Sequence, residues 1–257
     1  MFNKIRQWWL QRIIRQSRGN EEAWLISFAK IPLLQRLTED DQVRLLDMAI
    51  VFLHKKSFSG AHDLEITEEM QRIIALQACL PILNLGIHWY RGWRSIIVYP
   101  AGFRTEHTFT DEAGVLHSEK RTLSGEAWNR GPVILSWDDV KNSGIIDGDN
   151  LVIHEFAHKL DMLNGKANGF PPLHKNMNNK QWSQVFSEAY ASFQSRLRNR
   201  IASQIDPYAA QSPAEFFSVL SELFFERPDI IHLEYPEIYK LLSEFYKQDT
   251  LNHLEPP

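Results

Sequence analysis

The sequence predicts an α+β fold: a helical first part, a small twisted sheet, and a helical second half. Two observations carry this. Helix-capping signals and helical apolar spacing dominate up to about residue 94, and again from Asn150 onward. Between residues 96 and 137 the pattern shifts to short runs rich in β-branched and aromatic residues, broken by turn residues.

In chain order, residues 1–18 come first. Ile5, Trp8, Trp9 and Ile13 with Arg12 and Arg15 suggest an amphipathic basic helix. Docking on the domain or on an acidic partner is preferred over contact with a membrane surface. Thr38-Glu39-Asp40-Asp41 reads as a capping box opening a helix to about Phe52, and Thr67-Glu68-Glu69 opens another that closes before Pro81. Strands are expected at 95–99, 104–110, 114–118 and 132–137, with a hairpin turn at Asp111-Glu112-Ala113-Gly114. Residues 131–137 read either as an edge strand that pairs with an extended peptide or as a plain internal strand. No repeat or flexible linker divides the chain. Residues 1–257 are therefore read as one domain, with 1–94 the mainly helical part and 95–257 the sheet plus the metal-binding helices.

Composition excludes several classes. A net charge of −4 argues against a nucleic-acid binder. No run approaches 18 uncharged apolar residues, so no spanning helix and no stable membrane insertion are expected. The N-terminus lacks the pattern of a secretion signal, which makes the cytoplasm the default. The one cysteine, Cys79, sits in an apolar helical run and reads as packing.

The chemistry concentrates at 154–158, His-Glu-Phe-Ala-His. Two imidazoles four residues apart share one helix face and reach the same metal ion. Zinc favours such nitrogen ligands, and a catalytic site takes three protein ligands with one position left for water. Glu155 then serves as general base. Leu151, Phe156, Ala157, Leu160 and Leu163 form an apolar face that suits a buried helix. A third ligand is sought on a helix opened by Ser212 and Pro213, where Glu215 and Glu222 lie seven residues apart on nearly one face. Spacing does not choose between them, and Glu215 also occupies the capping-box position. Asp161 is a candidate outer partner for a ligand ring, or a plain helix-end carboxylate. The remaining histidines, His174 among them, read as structural or surface residues, and Trp89, Tyr90 and Trp93 read as core.

The run HEFAHKLDMLNG at 154–165, followed by ANGFPPL at 167–173 and SPAEFF at 212–217, resembles the Mlc titration factor A family of bacterial zinc peptidases. It is also distantly similar to the catalytic domain of anthrax lethal factor. The resemblance implies a zincin-like metallopeptidase fold and one zinc ion (Zn2+) per chain on His154, His158 and Glu215. It places Tyr208, seven residues before Glu215, over the bound substrate. It further implies aminopeptidase-type activity on peptide substrates and binding of the transcriptional repressor Mlc, with an effect on expression of the glucose phosphotransferase system. The Gly-x-Met-Glu-Asn signature of many aminopeptidases is absent, so that specificity rests on the resemblance alone. The competing reading is a regulatory anti-repressor protein whose peptidase activity is minor or lost. Retention of Glu155 weakens it.

Overall fold

The computed structural model describes residues 21–110, 116–123, 125–127 and 131–253. The amphipathic segment 1–18 and the turn at 111–114 lie outside them. Helix α1 (Glu21–Ala29) and a 3-10 turn lead into α2 (Glu39–Lys55), strand β1 (Ser57–Gly60) and α3 (Glu68–Cys79). The sheet region holds β2 (Ser95–Tyr99), β3 (Phe103–Thr110), β4 (Leu116–Leu123), β5 (Gly125–Ala127) and β6 (Val133–Ser136). Helices α4 (Trp137–Asn142), α5 (Leu151–Asp161), α6 (Asn179–Arg198), α7 (Pro213–Glu226), α8 (Pro228–Glu234) and α9 (Pro236–Tyr246) complete the chain.

Local chemistry explains the helix starts. The hydroxyls of Thr38 and Thr67 accept the N–H groups of Asp41 and Met70, each satisfying a donor that the first turn leaves open. Asn150 does the same for α5, its Oδ1 accepting Ile153 N at 2.9 Å. Expected and observed starts agree because a cap is a local event that the sequence displays.

The main sheet has the order β1-β2-β6-β5, with β1, β2 and β6 parallel and β5 antiparallel to β6. Strands β3 and β4 pair antiparallel as a separate two-stranded sheet. This decides the alternative left open for residues 131–137. Strand β6 is hydrogen-bonded on both sides, by β2 and by β5, so it is internal and has no free edge for a peptide. On that side of the sheet the edge belongs to β5, whose three residues are too few to show a strand pattern. Strand β1 also escaped the sequence reading, since Ser-Phe-Ser-Gly offers one large apolar residue and no alternation.

One apolar cluster runs from Trp24 in α1 to Tyr246 in α9. Helix α5 crosses its middle and is buried along all eleven residues. The apolar face expected of it is there, but the opposite face is covered as well. Phe156 anchors it among Phe52, Tyr90 and Trp93, at ring-centre distances of 5.7, 5.1 and 5.6 Å. Burial of this kind contributes roughly 1.5–3 kcal/mol per large side chain. Cys79 is fully buried, as its apolar run implied. His174 sits against the ring of Trp89, with Nε2 2.8 Å from Phe245 O, a structural place far from ligand geometry.

Candidate metal centre

Helices α5 and α7 lie antiparallel, and everything in the centre follows from that pairing. His154 and His158 project from α5 with ring centres 4.8 Å apart. Glu215, in the first turn of α7, brings Oε2 to 3.0 Å from His154 Nε2 and 3.2 Å from His158 Nε2. One ligand atom from each of the three residues lies within 4.8 Å of the others, and among the described residues no other group of three or more His, Cys, Asp or Glu gathers this way. Two imidazole nitrogens and one carboxylate oxygen converging on one point fit a divalent metal of the zinc type.

The outer nitrogens are held as well. His154 Nδ1 lies 2.7 Å from Glu222 Oε1, and His158 Nδ1 lies 3.1 Å from Ser218 Oγ. Burial pushes Glu222 up to about 7 while its charge raises His154, so the two share a proton across this contact; with a metal on Nε2, Nδ1 would carry that proton toward Glu222. Glu222 is therefore the partner of the ring and not a member of the converging set. Its other oxygen accepts Asn150 N at 2.6 Å. Capping does not consume Glu215 either. Ser212 Oγ accepts Glu215 N, but the Glu215 carboxylate turns to the imidazoles.

Burial and charge oppose each other here. Burial alone would lift Glu215, yet hydrogen bonds and charge from both histidines hold it well below the usual carboxylate range. Burial depresses His158. It would depress His154 too, but Glu222, then Glu215 and Glu155, raise that ring well above its ordinary value. Glu155 is 3% exposed, and its charge acts on His154 and on Lys159.

Tyr208 sits in a 3-10 turn, Pro207–Ala210, capped by Asp206, whose Oδ1 accepts Tyr208 N at 2.7 Å. The turn packs on α7, and Tyr190 donates to Ala210 O. The half-buried Tyr208 ring stands 5.9 Å from that of His154. Asp161 holds no ligand ring. Its Oδ2 accepts the N–H groups of Asn168 and Gly169, both at 2.7 Å, so it clamps the loop that follows α5. Gly169 has φ +76°, and a Cβ there would stand 2.4 Å from Pro213 O, so only glycine lets the loop lie against the start of α7.

Two residues missed in the sequence, Ser218 and Glu226, form one stripe with Glu222, which was read there only as a rival ligand. Ser218, Glu222 and Glu226 follow Glu215 at intervals of 3, 4 and 4 along an otherwise aromatic-rich helix. That spacing places them on a single face, and it was legible. Glu226 accepts Gly144 N and Asn150 Nδ2 through Oε1 and Gly148 N through Oε2, fixing the loop before α5. Ile146 in that loop has φ 70°, a strained value for a β-branched residue that this clamp sustains.

Burial pushes Glu226 up to about 7 from an ordinary value near 4.5, against hydrogen bonds from Asn150 and Gly148. The folded state thus keeps a proton that the unfolded chain releases. Its contribution is full below about pH 4.5 and is lost as pH rises toward 7, about 3 kcal/mol in all. Urea unfolding in excess chelator is expected to show this decline. Glu226→Gln should flatten that part of the slope and lower stability throughout, because an amide N–H₂ then faces backbone donors. An unchanged slope would remove Glu226 as its source.

Two imidazoles with a carboxylate between them in sequence, and a second carboxylate converging on them from a packed helix, fit the metallopeptidase class. The comparisons agree. The sequence pattern described as glucose-regulated metallo-peptidase M90 matches residues 5–247. The protein called Mlc titration factor A from Pectobacterium atrosepticum is 38% identical over 239 residues, covering 91% of this chain and 89% of that one. Its namesake from Salmonella typhimurium is 40% identical over 229 residues, 87% and 85% of the two chains. The one from Salmonella arizonae is 39% identical over the same length, 87% and 90%. The chain belongs to the M90 family of metallo-peptidases.

Proposed function

We propose that this protein is a zinc-dependent peptidase holding one Zn2+ on His154, His158 and Glu215, with Glu155 as general base and Tyr208 as electrophile. The reading rests above all on the convergence of the three ligand atoms within 4.8 Å, beside a buried Glu155. The single-domain reading of residues 1–257, with a zincin-like core, is supported by the continuous apolar cluster that surrounds α5.

A bound zinc ion supplies Lewis acidity, which makes a water nucleophilic near neutral pH and draws electrons from a carbonyl. The protein's own residues do the rest. Glu155 takes the proton of the attacking water and returns it to the departing amine nitrogen. Glu222 and Ser218 keep the imidazoles turned inward. The Tyr208 phenol donates to the oxyanion as the carbonyl carbon becomes tetrahedral.

Purified protein should contain about one zinc per chain, and peptide hydrolysis should stop with a chelator and return with zinc. Hydrolysis that survives complete metal removal would overturn the reading. Tyr208→Phe removes only the hydroxyl. The expected result is a kcat lower by about ten- to a thousand-fold, with zinc content and thermal stability nearly unchanged. An unchanged kcat would take Tyr208 out of the reaction.

Family resemblance supports aminopeptidase-type cleavage. The relatives' name, Mlc titration factor A, supports a second role as a binder of the repressor Mlc, which would modulate glucose phosphotransferase system expression. None of the described helices is long and apolar enough to cross a membrane. Glu155→Gln should leave Mlc binding intact if the repressor uses a surface away from the cleft. Joint loss of binding and hydrolysis would tie the two to one place.

A further inference from the structure

The face of α7 turned toward α5 carries Glu215, Ser218, Glu222 and Glu226, and only Ser218 of the four is neutral. That neutral position backs a ligand. Ser218 Oγ lies 3.1 Å from His158 Nδ1, whereas Glu222 places a carboxylate oxygen 2.7 Å from His154 Nδ1. Both backing groups are enclosed, Ser218 fully buried and Glu222 4% exposed. Bulk water therefore replaces neither, and the two imidazoles of the centre are backed unequally.

The two backing groups differ in strength and in charge. A hydrogen bond from a metal-bound ring N–H to a carboxylate is roughly twice as strong as one to a hydroxyl, and it makes the ring a better donor to the ion. Glu215 and Glu222 together already match the double charge of a zinc-type ion, with Glu155 next to His154 in sequence. A hydroxyl at 218 keeps the His158 ring turned inward without adding a further negative charge, so the ion's pull on electrons is spared. A hydroxyl also donates as well as accepts. It stays paired with Nδ1 when the ring changes tautomer on losing the ion, and the emptied centre leaves that buried nitrogen a partner.

We propose that Ser218 is a positioning residue that governs metal retention, making His158 the yielding ligand and His154 the fixed one. The proposal rests on the metal-centre reading of His154, His158 and Glu215, and the test separates the two.

Full-length protein is loaded with cobalt(II), which moves the ring N–H signals of bound histidines clear of the rest of the proton NMR spectrum. Two exchangeable signals are expected, one from each Nδ1–H, and the one that exchanges faster with solvent should belong to His158. Ser218→Ala should displace or remove that signal alone, and Glu222→Gln the other. Competition for zinc with a chromogenic chelator should show an affinity lower by about three- to tenfold in Ser218→Ala, a smaller loss than in Glu222→Gln. Ser221→Ala is the control for losing a buried hydroxyl on the same helix, because Ser221 Oγ serves Phe217 O and the Tyr246 phenol, both at 2.8 Å. It should lower thermal stability in excess chelator, as Ser218→Ala should, but leave zinc affinity and both ring signals alone. Unchanged zinc affinity in Ser218→Ala, a loss as large as that of Glu222→Gln, or an equal loss in Ser221→Ala overturns the assignment. Wild-type protein that binds neither ion at this centre would instead sink the metal-centre reading itself.

Discussion

Glu155→Gln is expected to reduce peptide hydrolysis by about a hundred- to ten-thousand-fold while the protein keeps its metal. The amide matches the carboxylate in shape, so packing within the fully buried α5 should hold. What disappears is the ability to accept a proton from water and carry it to the amine. Because that loss belongs to the chemical step, it should appear in kcat with little change in KM. The measurement is steady-state hydrolysis beside metal analysis of the same preparation. Residual activity near wild type would mean that another group is the base.

Glu215→Ala is expected to have the other large effect, loss of most bound metal and all measurable activity. Its Oε2 sits within 3.2 Å of both imidazole nitrogens, and no other carboxylate among the described residues converges on that point. Glu222→Gln should behave differently. It replaces the charged acceptor behind His154 with a neutral amide oxygen and should weaken metal affinity by about ten- to a hundred-fold without emptying the site at stoichiometric zinc. Competition with a chromogenic chelator distinguishes the two variants. A Glu215→Ala protein that still holds one metal, beside an empty Glu222 variant, would reverse the ligand assignment.

The sequence disclosed the parts of the fold that short-range chemistry decides. Caps at Thr38, Thr67 and Ser212 marked helix starts correctly because a hydroxyl and an N–H three residues on are all a cap requires. Strand β4 was placed too early and runs on to Leu123, and β1 and β5 were not seen. Strand pairing depends on distant partners, and short strands carry little pattern of their own. The centre divides the same way. His154, Glu155 and His158 were visible as a spacing. The rival claims of Glu215 and Glu222 were not separable, because both lie on the same helix face and only the antiparallel offset of α5 and α7 decides which meets Nε2 and which Nδ1. Asp161 carried no signal of its task, since the loop it clamps approaches it only through the fold.

Helices α5 and α7 are fastened to each other near both extremities. Glu222 and Glu226 bind Asn150 and the loop ahead of it at one end, and Asp161 reaches through Gly169 to Pro213 at the other. A pair pinned twice does not splay like scissor blades. Under the proposed function, breathing that admits a peptide is expected in the Pro207–Ala210 turn that carries Tyr208 and not between these two helices. On the same reading, this double fastening would keep the spacing of His154, His158 and Glu215 as a peptide enters.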